Sequence, residues 1–198
     1  MNRGYSLKAK HEGLTLMIIS GIKYSFTDKE IKELLSGLVI MIDTREQRNS
    51  HILKYFDFHK VPYKKRKLDY GDYSAYLPKN EGLGIKRDIY LTAAIERKNS
   101  VDELAATIKE RTRFENELIR AQNSPFILLV EDSDGYEKIV RGAYRSHYKA
   151  KALLGSLKSF ETKYGFQTVF ISPKTSGNYL FYHFYYLFRN MLKGASFL

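Results

Sequence analysis

The chain contains no cysteine among its 198 residues. That absence excludes disulfides, thiolate zinc sites and a cysteine nucleophile, so any metal it binds is held by oxygen. Its histidines, His11, His51, His59, His147 and His183, show no paired ligand spacing and read as surface or packed imidazoles rather than zinc ligands. Long hydrophobic runs are missing too. Leu14 to Ile22 falls short of the roughly 20 residues a membrane-spanning helix needs, and no small-residue cleavage site follows it. The expectation is a cytoplasmic protein with no membrane partner, nucleoid-associated if bacterial. Acid is also scarce: 33 lysines and arginines outnumber 22 aspartates and glutamates, giving a formal charge of +11. An excess of that size points to a polyanionic partner, for which nucleic acid is the obvious candidate, although a lysine-rich soluble protein has the same balance. No basic amphipathic helix marks a membrane surface as the alternative.

What is present suits one hydrophobic core, since 43% of residues are hydrophobic and 14% aromatic. Residues 1 to 36 read as a basic, poorly patterned extension followed by a helix capped at Thr27 and closed by Gly37. Residues 37 to 198 read as the main domain. Leu38 to Ile42 is a buried strand ending in Asp43-Thr44-Arg45-Glu46. A helix capped by Asn49 or Ser50 runs to about His59. Short strands follow near Tyr63 to Leu68 and Tyr73 to Leu77, then a loop with Gly82 and Gly84. Next come a strand from Ile89 to Lys98, a helix from Ser100 to about Gln122 with a break near Arg111-Thr112-Arg113, and a strand from Phe126 to Val130. Glu131 to Gly135 reads as a strand-end turn. A helix from Lys149 to Tyr164, a strand from Phe166 to Ile171 and a last helix opened by Ser176 or Asn178 complete the chain.

The richest stretch is Glu96-Arg97-Lys98, where a greasy strand delivers charge to one place. Residues i and i+2 of a strand share a face, so Glu96 and Lys98 point together and Arg97 points away. A carboxylate there suits Mg²⁺, a hard cation that prefers oxygen, and an adjacent ammonium suits a hydroxide nucleophile or a developing phosphorane charge. Ser100 with Glu103 makes a capping-box pattern that puts Asp102 in the first turn of the next helix. A metal needs further carboxylates. Asp72 follows Gly71, a residue that lets the backbone approach closely, and Asp43 ends a buried strand, where open α/β sheets usually place ligands. Taken alone, Asp43 reads more readily as a cap or a solvated turn.

Asp43-x-Arg45-Glu46, then Gly71-Asp72, then Glu96-Arg97-Lys98 with Asp102, resemble in type and order the motifs of the ERCC4-type nuclease domain of XPF-like structure-specific endonucleases. That family lies within the PD-(D/E)xK restriction-like superfamily, and the likeness covers about residues 38 to 192. It implies an α/β fold with a restriction-endonuclease-like central mixed β-sheet flanked by helices on both faces. It further implies a Mg²⁺- or Mn²⁺-dependent DNA endonuclease in which Asp72 and Glu96 ligate metal, Lys98 positions or activates water, and Asp43 and Asp102 complete the acidic cluster, Asp43 as a further ligand. Arg45 and Arg97 would hold phosphate or orient the carboxylates. Members usually carry a C-terminal tandem helix-hairpin-helix domain, and nothing like it fits after residue 192. The chain thus looks like a short standalone form, and specificity for branched or flapped DNA is an expectation from the family. A non-catalytic DNA-binding module on the same fold is the alternative, and retention of the acidic residues argues against it.

Other basic residues have two readings each. Lys109, Arg111 and Arg113 either touch DNA or form a solvated helical face. Lys64 to Lys67 alternates on a strand, so half of it at most meets DNA together, and edge protection by lysines explains it as well. Lys86 and Arg87 in the glycine loop are comparable candidates. Tyr179 to Phe188 is apolar or aromatic nearly all round, which fits a helix sandwiched within the monomer, a homodimer seam or, less simply, a stack for single-stranded bases.

Overall fold

Apolar runs bounded by turn residues become strands throughout the computed structural model, which describes residues 25–194; the basic extension expected over residues 1 to 24 lies outside them. The strands are β1 (Val39–Ile42), β2 (Tyr63–Lys65), β3 (Tyr73–Leu77), β4 (Ile89–Tyr90), β5 (Ala94–Lys98), β6 (Phe126–Val130) and β7 (Gln167–Phe170). They form one mixed sheet in the order β2-β1-β3-β5-β6-β7, with β4 paired to β3 beyond the end of β5. β3 runs antiparallel to β1, β4 and β5, while β1–β2, β5–β6 and β6–β7 are parallel pairings. The helices are α1 (Asp28–Ser36), α2 (Ser50–Phe58), α3 (Val101–Lys109), α4 (Arg111–Ala121), α5 (Gly135–Arg141), α6 (Ala150–Tyr164) and α7 (Ser176–Gly194). The α/β class and the mixed sheet with helices on both faces are as expected.

Strand alternation divides the interior into two cores. Ile40 and Ile42, then Tyr73, Ala75 and Leu77, then Ile95 and Leu129 face α1, α2 and α7. Ala94, Leu128 and Val130 face the layer made by α3 to α6. Helix α1 enters the first core because Thr27 and Glu30 close a reciprocal capping box, fixing the register that buries Ile31, Leu34 and Leu35. On α7 the apolar stripe Leu180, Phe184, Phe188 and Leu192 is fully buried, as are Ser176 and Gly177 at its start, while Tyr182, Tyr186 and Met191 remain exposed. The helix is thus covered on one side within the monomer.

Three local expectations need correction. The strand from Ile89 to Lys98 is two strands. Between them the Ala93 carbonyl accepts from Ser74 Oγ at 2.7 Å and the Thr92 carbonyl accepts from Tyr70 Oη, so side chains satisfy the backbone where a ladder was expected. The strand near Tyr63 to Leu68 stops at Lys65, although Arg66 N still donates to Ile42 O. The Glu131 to Gly135 turn opens α5, which the turn-rich composition concealed.

Candidate active site

Helices α3 and α4 cover the face of β5 that carries Glu96 and Lys98. Lys98 Nζ donates to Glu96 Oε1 at 2.5 Å, and both side chains are about nine-tenths buried. They floor a groove of about 230 Å³ whose wall includes Glu103, Glu110, Arg113 and Glu117. Asp72 reaches the same place from the start of β3. Its backbone N–H donates to Ile95 O, and its Oδ2 accepts the Arg97 N–H at 2.8 Å, pinning the carboxylate to the β5 backbone. Gly71 makes this approach possible. It sits at φ +70, and a Cβ there would lie 2.8 Å from Ala94 Cβ and 3.3 Å from Ile95 O. A side chain at this position would both strain the backbone and push β3 from β5.

The electrostatics follow from crowding these charges under partial burial. Burial raises Asp72, and nearby Glu46 and Glu117 add to it while the Arg97 N–H and Lys98 oppose; the carboxyl ends at about 6. Glu96 is pushed well up, by burial first and then by Asp72, with Glu117 adding to it and Lys98 opposing. Burial pulls the Lys98 ammonium down, but Glu96 and Asp72 outweigh it and leave its pKa raised. The raised pKa favours the ammonium form of Lys98 beside the two carboxyls. Glu117 escapes sequence reading. It lies on α4, with Glu110 and Arg113 seven and four residues before it toward the same groove, and its Oε1 accepts the Gly71 N–H at 3.2 Å.

Asp43 is placed at the end of β1 and is fully buried, but its carboxylate is already occupied. It accepts from Arg45 N at 2.8 Å, Arg45 Nε at 2.6 Å and Leu68 N at 2.7 Å. Burial alone would raise its pKa; these donors, Arg45 first, outweigh burial and lower it. Arg45 in turn lies near enough to Asp72 and Glu117 to feel both. Asp102 is not brought to the Asp72–Glu96 pair by any contact. It accepts from Arg145 N and Nε at 2.7 and 2.8 Å and lines a second cleft, of about 570 Å³, with Arg45, Arg48, Arg97, Asn99 and Arg145. The expected cluster of four carboxylates around Lys98 is therefore divided: Asp72 stands beside the Glu96–Lys98 groove, while Asp43 and Asp102 each fasten an arginine.

Arg97 points to the opposite face, as strand alternation requires. Its guanidinium is buried between Glu131, at 2.6 Å, and Glu46, at 2.8 Å, and donates to Arg48 O at 3.0 Å. It orients carboxylates and has little surface left for a phosphate. Glu131 Oε1 also meets His51 Nε2 at 2.6 Å, so the residue read as part of a strand-end turn is a buried ion-pair partner. Among the basic candidates, Arg113 reaches the groove. Arg111 is engaged by Glu115 and lies over the Phe160 ring at 5.0 Å. Lys64, Lys86, Arg87 and Lys109 are exposed.

Among the described residues no three His, Asp or Glu side chains stand close enough to hold a metal ion as they are. The donor chemistry of Asp72 and Glu96 nevertheless fits a hard divalent cation. Both are oxygen donors, and Asp72 pushes up the Glu96 carboxyl, a repulsion that a bound cation would relieve.

Comparison with known proteins places this geometry. The ERCC4 domain model matches residues 42–183, well over half of the chain. No curated protein matches the sequence. Two solved structures share the fold: XPF from Aeropyrum pernix, with a TM-score of 0.55 and 18% identity over 77% of this chain and 66% of that one, and XPF from the same organism in complex with DNA, with a TM-score of 0.52 and 19% identity over 75% of this chain and 64% of that one. This chain thus spans just under two thirds of the length of those proteins, and at such identity the likeness is one of fold. On the match to its model, the chain belongs to the ERCC4 domain family.

Proposed function

We propose that the protein is a divalent-metal-dependent DNA endonuclease that hydrolyses phosphodiester bonds in the Asp72–Glu96–Lys98 groove. The observation that carries this is the meeting of Asp72, Glu96 and Lys98 on one side of β3 and β5, with both carboxylates raised. Mg²⁺ or Mn²⁺, held by Asp72 and Glu96, would supply Lewis acidity toward the scissile phosphate and lower the pKa of a bound water. The chain's own residues do the rest. Lys98 presents an ammonium to the anionic transition state, Gly71 keeps Asp72 against β5, and Arg113 stands at the groove wall where a phosphate passes. Arg45, Lys64, Lys86, Arg87 and Lys109 supply exposed positive charge for DNA, in keeping with the +11 balance. The exposed tyrosine face of α7 is the proposed seam of a homodimer, with Tyr182 and Tyr186 stacked at 6.1 Å in its middle.

Incubation with branched, flapped and linear DNA in Mg²⁺ or Mn²⁺ tests both the activity and its preference. Cutting that requires metal and favours the branched or flapped forms supports the full proposal. Equal nicking of every substrate overturns the structure preference, and binding without metal-dependent cutting leaves only a DNA-binding module.

A further inference from the structure

Asp102 spends its carboxylate in the second cleft, away from Asp72 and Glu96. Its two oxygens accept the Arg145 backbone N–H and the Arg145 Nε–H, at 2.7 and 2.8 Å. Arg145 belongs to the loop between α5 and α6, and that loop is braced from within. Tyr144 Oη donates to Tyr148 O at 2.6 Å, and Tyr148 Oη meets Ser156 Oγ at 2.8 Å. The Arg145 side chain is nevertheless 91% exposed. An ion pair so open to water contributes little to stability, so its main effect is to hold a long side chain in one conformation. Asp102 takes only the Nε side of the guanidinium, and both terminal nitrogens of this cleft-lining arginine are without a partner among the described residues.

The rest of the cleft repeats this arrangement. Asp43 grips Arg45 at Nε and Nη2 and leaves Nη1 outward. Arg48 has no side-chain hydrogen bond or ion pair among the described residues, and its carbonyl is fixed by Arg97 Nη2 at 3.0 Å. Every acid on the wall is already engaged: Glu46 by Arg97, Asp102 by Arg145, and Glu103 by the Asn99 N–H. Exposed arginines from two loops thus line about 570 Å³ with no idle carboxylate to answer them. Forked guanidinium donors match phosphate and carboxylate oxygens alike, and position decides between the two. Glu103 lines both this cleft and the Glu96–Lys98 groove, and Arg97 of the cleft stands between Glu96 and Lys98 on β5. The two spaces therefore adjoin across the end of that strand. An anion continuing out of the groove is the backbone of the nucleic acid strand lying in it.

The geometry points to a second phosphate subsite: Arg145 and Arg48 hold the phosphodiester next to the scissile one, and Asp102 is the residue that positions Arg145 and not a ligand of the metal. This rests on the DNA-cutting reading above and adds to it an anchor for the strand beyond the end of β5.

The test is a methylphosphonate scan. Single uncharged replacements of a phosphate are placed along a labelled flapped duplex, whose junction fixes the register, and binding of the full chain in EDTA is read by fluorescence anisotropy. One replacement beside the cut should weaken wild-type binding about tenfold, and the same replacement should cost the folded Arg145→Gln variant less than about twofold, because the contact is already gone. Arg145→Gln and Arg48→Gln should each reduce the salt slope by about one. Asp102→Asn should show the same loss of coupling to that phosphate while its Mn²⁺ affinity, followed by electron paramagnetic resonance, stays within about twofold of the wild type. Equal losses in the wild type and Arg145→Gln at every replacement overturn the subsite. So does competition by inorganic phosphate that vanishes in Arg145→Gln without any such coupling, which would make the cleft a site for the free ion. A tenfold fall in Mn²⁺ affinity in Asp102→Asn returns that residue to the metal and overturns its positioning role. If the wild type fails to cut in Mg²⁺ yet one phosphate couples to Arg145, the nuclease assignment falls and the subsite stands; if it cuts and no phosphate couples, only the subsite falls.

Discussion

Replacing Arg97 separates a buried structural cation from a phosphate ligand. The Arg97, Glu46 and Glu131 side chains are each at least nine-tenths buried, and the guanidinium makes three hydrogen bonds that hold the N-terminal approach to α2 against the ends of β5 and β6. Burial would lower the guanidinium pKa, but Glu46 and Glu131 outweigh it and hold the charge firmly in place. Removing one partner of a buried pair costs about 3–5 kcal/mol, because the remaining charge is left without compensation, and here Glu46 loses its ion-pair partner while Glu131 keeps only His51. Arg97→Met should therefore lower stability by at least that amount, a fall in melting temperature on the order of 10 °C for a domain of this size. Thermal and urea unfolding followed by circular dichroism measures it. The triple variant Arg97→Met/Glu46→Gln/Glu131→Gln should recover a large part of the loss, since it removes the stranded charges as well. If Arg97→Met instead costs under about 1 kcal/mol while weakening DNA binding tenfold, the residue is a phosphate ligand and the buried-network account fails.

Gly71→Ala forces a side chain into left-handed backbone and against Ala94, so it should cost about 1–2 kcal/mol from the backbone alone and weaken cleavage by displacing Asp72, read by unfolding and by rate. In metal-free protein the native Asp72 binds its proton more tightly than the unfolded chain. Stability should thus decline as pH rises from 3.8 to about 6, by about 3 kcal/mol at most from this group; Asp72→Asn should flatten that part of the profile. A divalent cation needs the ionised carboxylate, so Mn²⁺ affinity, followed by electron paramagnetic resonance, should rise over the same interval. Tyr182→Glu/Tyr186→Glu should convert any dimer seen by light scattering to monomer with little change in melting temperature, because both rings are exposed in the monomer.

Much of the site was legible because it depends on alternation along single strands. Glu96 and Lys98 share a face, and Arg97 faces away, for a reason two residues of sequence suffice to state. Gly71 before Asp72 likewise announced a close backbone approach. The divided acidic cluster was not legible: Asp43 and Asp102 are claimed by Arg45 and Arg145, and the second of these lies 43 residues from its partner. Glu117 was hidden for the same reason, since only the docking of α4 on β5 brings a helical glutamate to Gly71. Glu131 looked like a turn residue because Asp132, Ser133, Asp134 and Gly135 follow it, whereas its surroundings are set by β5 and α2. In the fold, β1, β6, α6 and α7 announced themselves by long apolar patterns. The break between β4 and β5 did not, because Ser74 and Tyr70 satisfy that backbone from elsewhere in the chain.

The central claim is that the Asp72–Glu96–Lys98 groove hydrolyses DNA, and single-turnover cleavage of one labelled substrate by the wild type, Glu96→Ala, Asp72→Asn and Lys98→Met tests it most directly. Cutting by the wild type in Mg²⁺ or Mn²⁺, lost in EDTA and reduced about 100-fold or more in each folded variant, is the predicted result. Wild-type cutting that survives in Glu96→Ala and Asp72→Asn would contradict it.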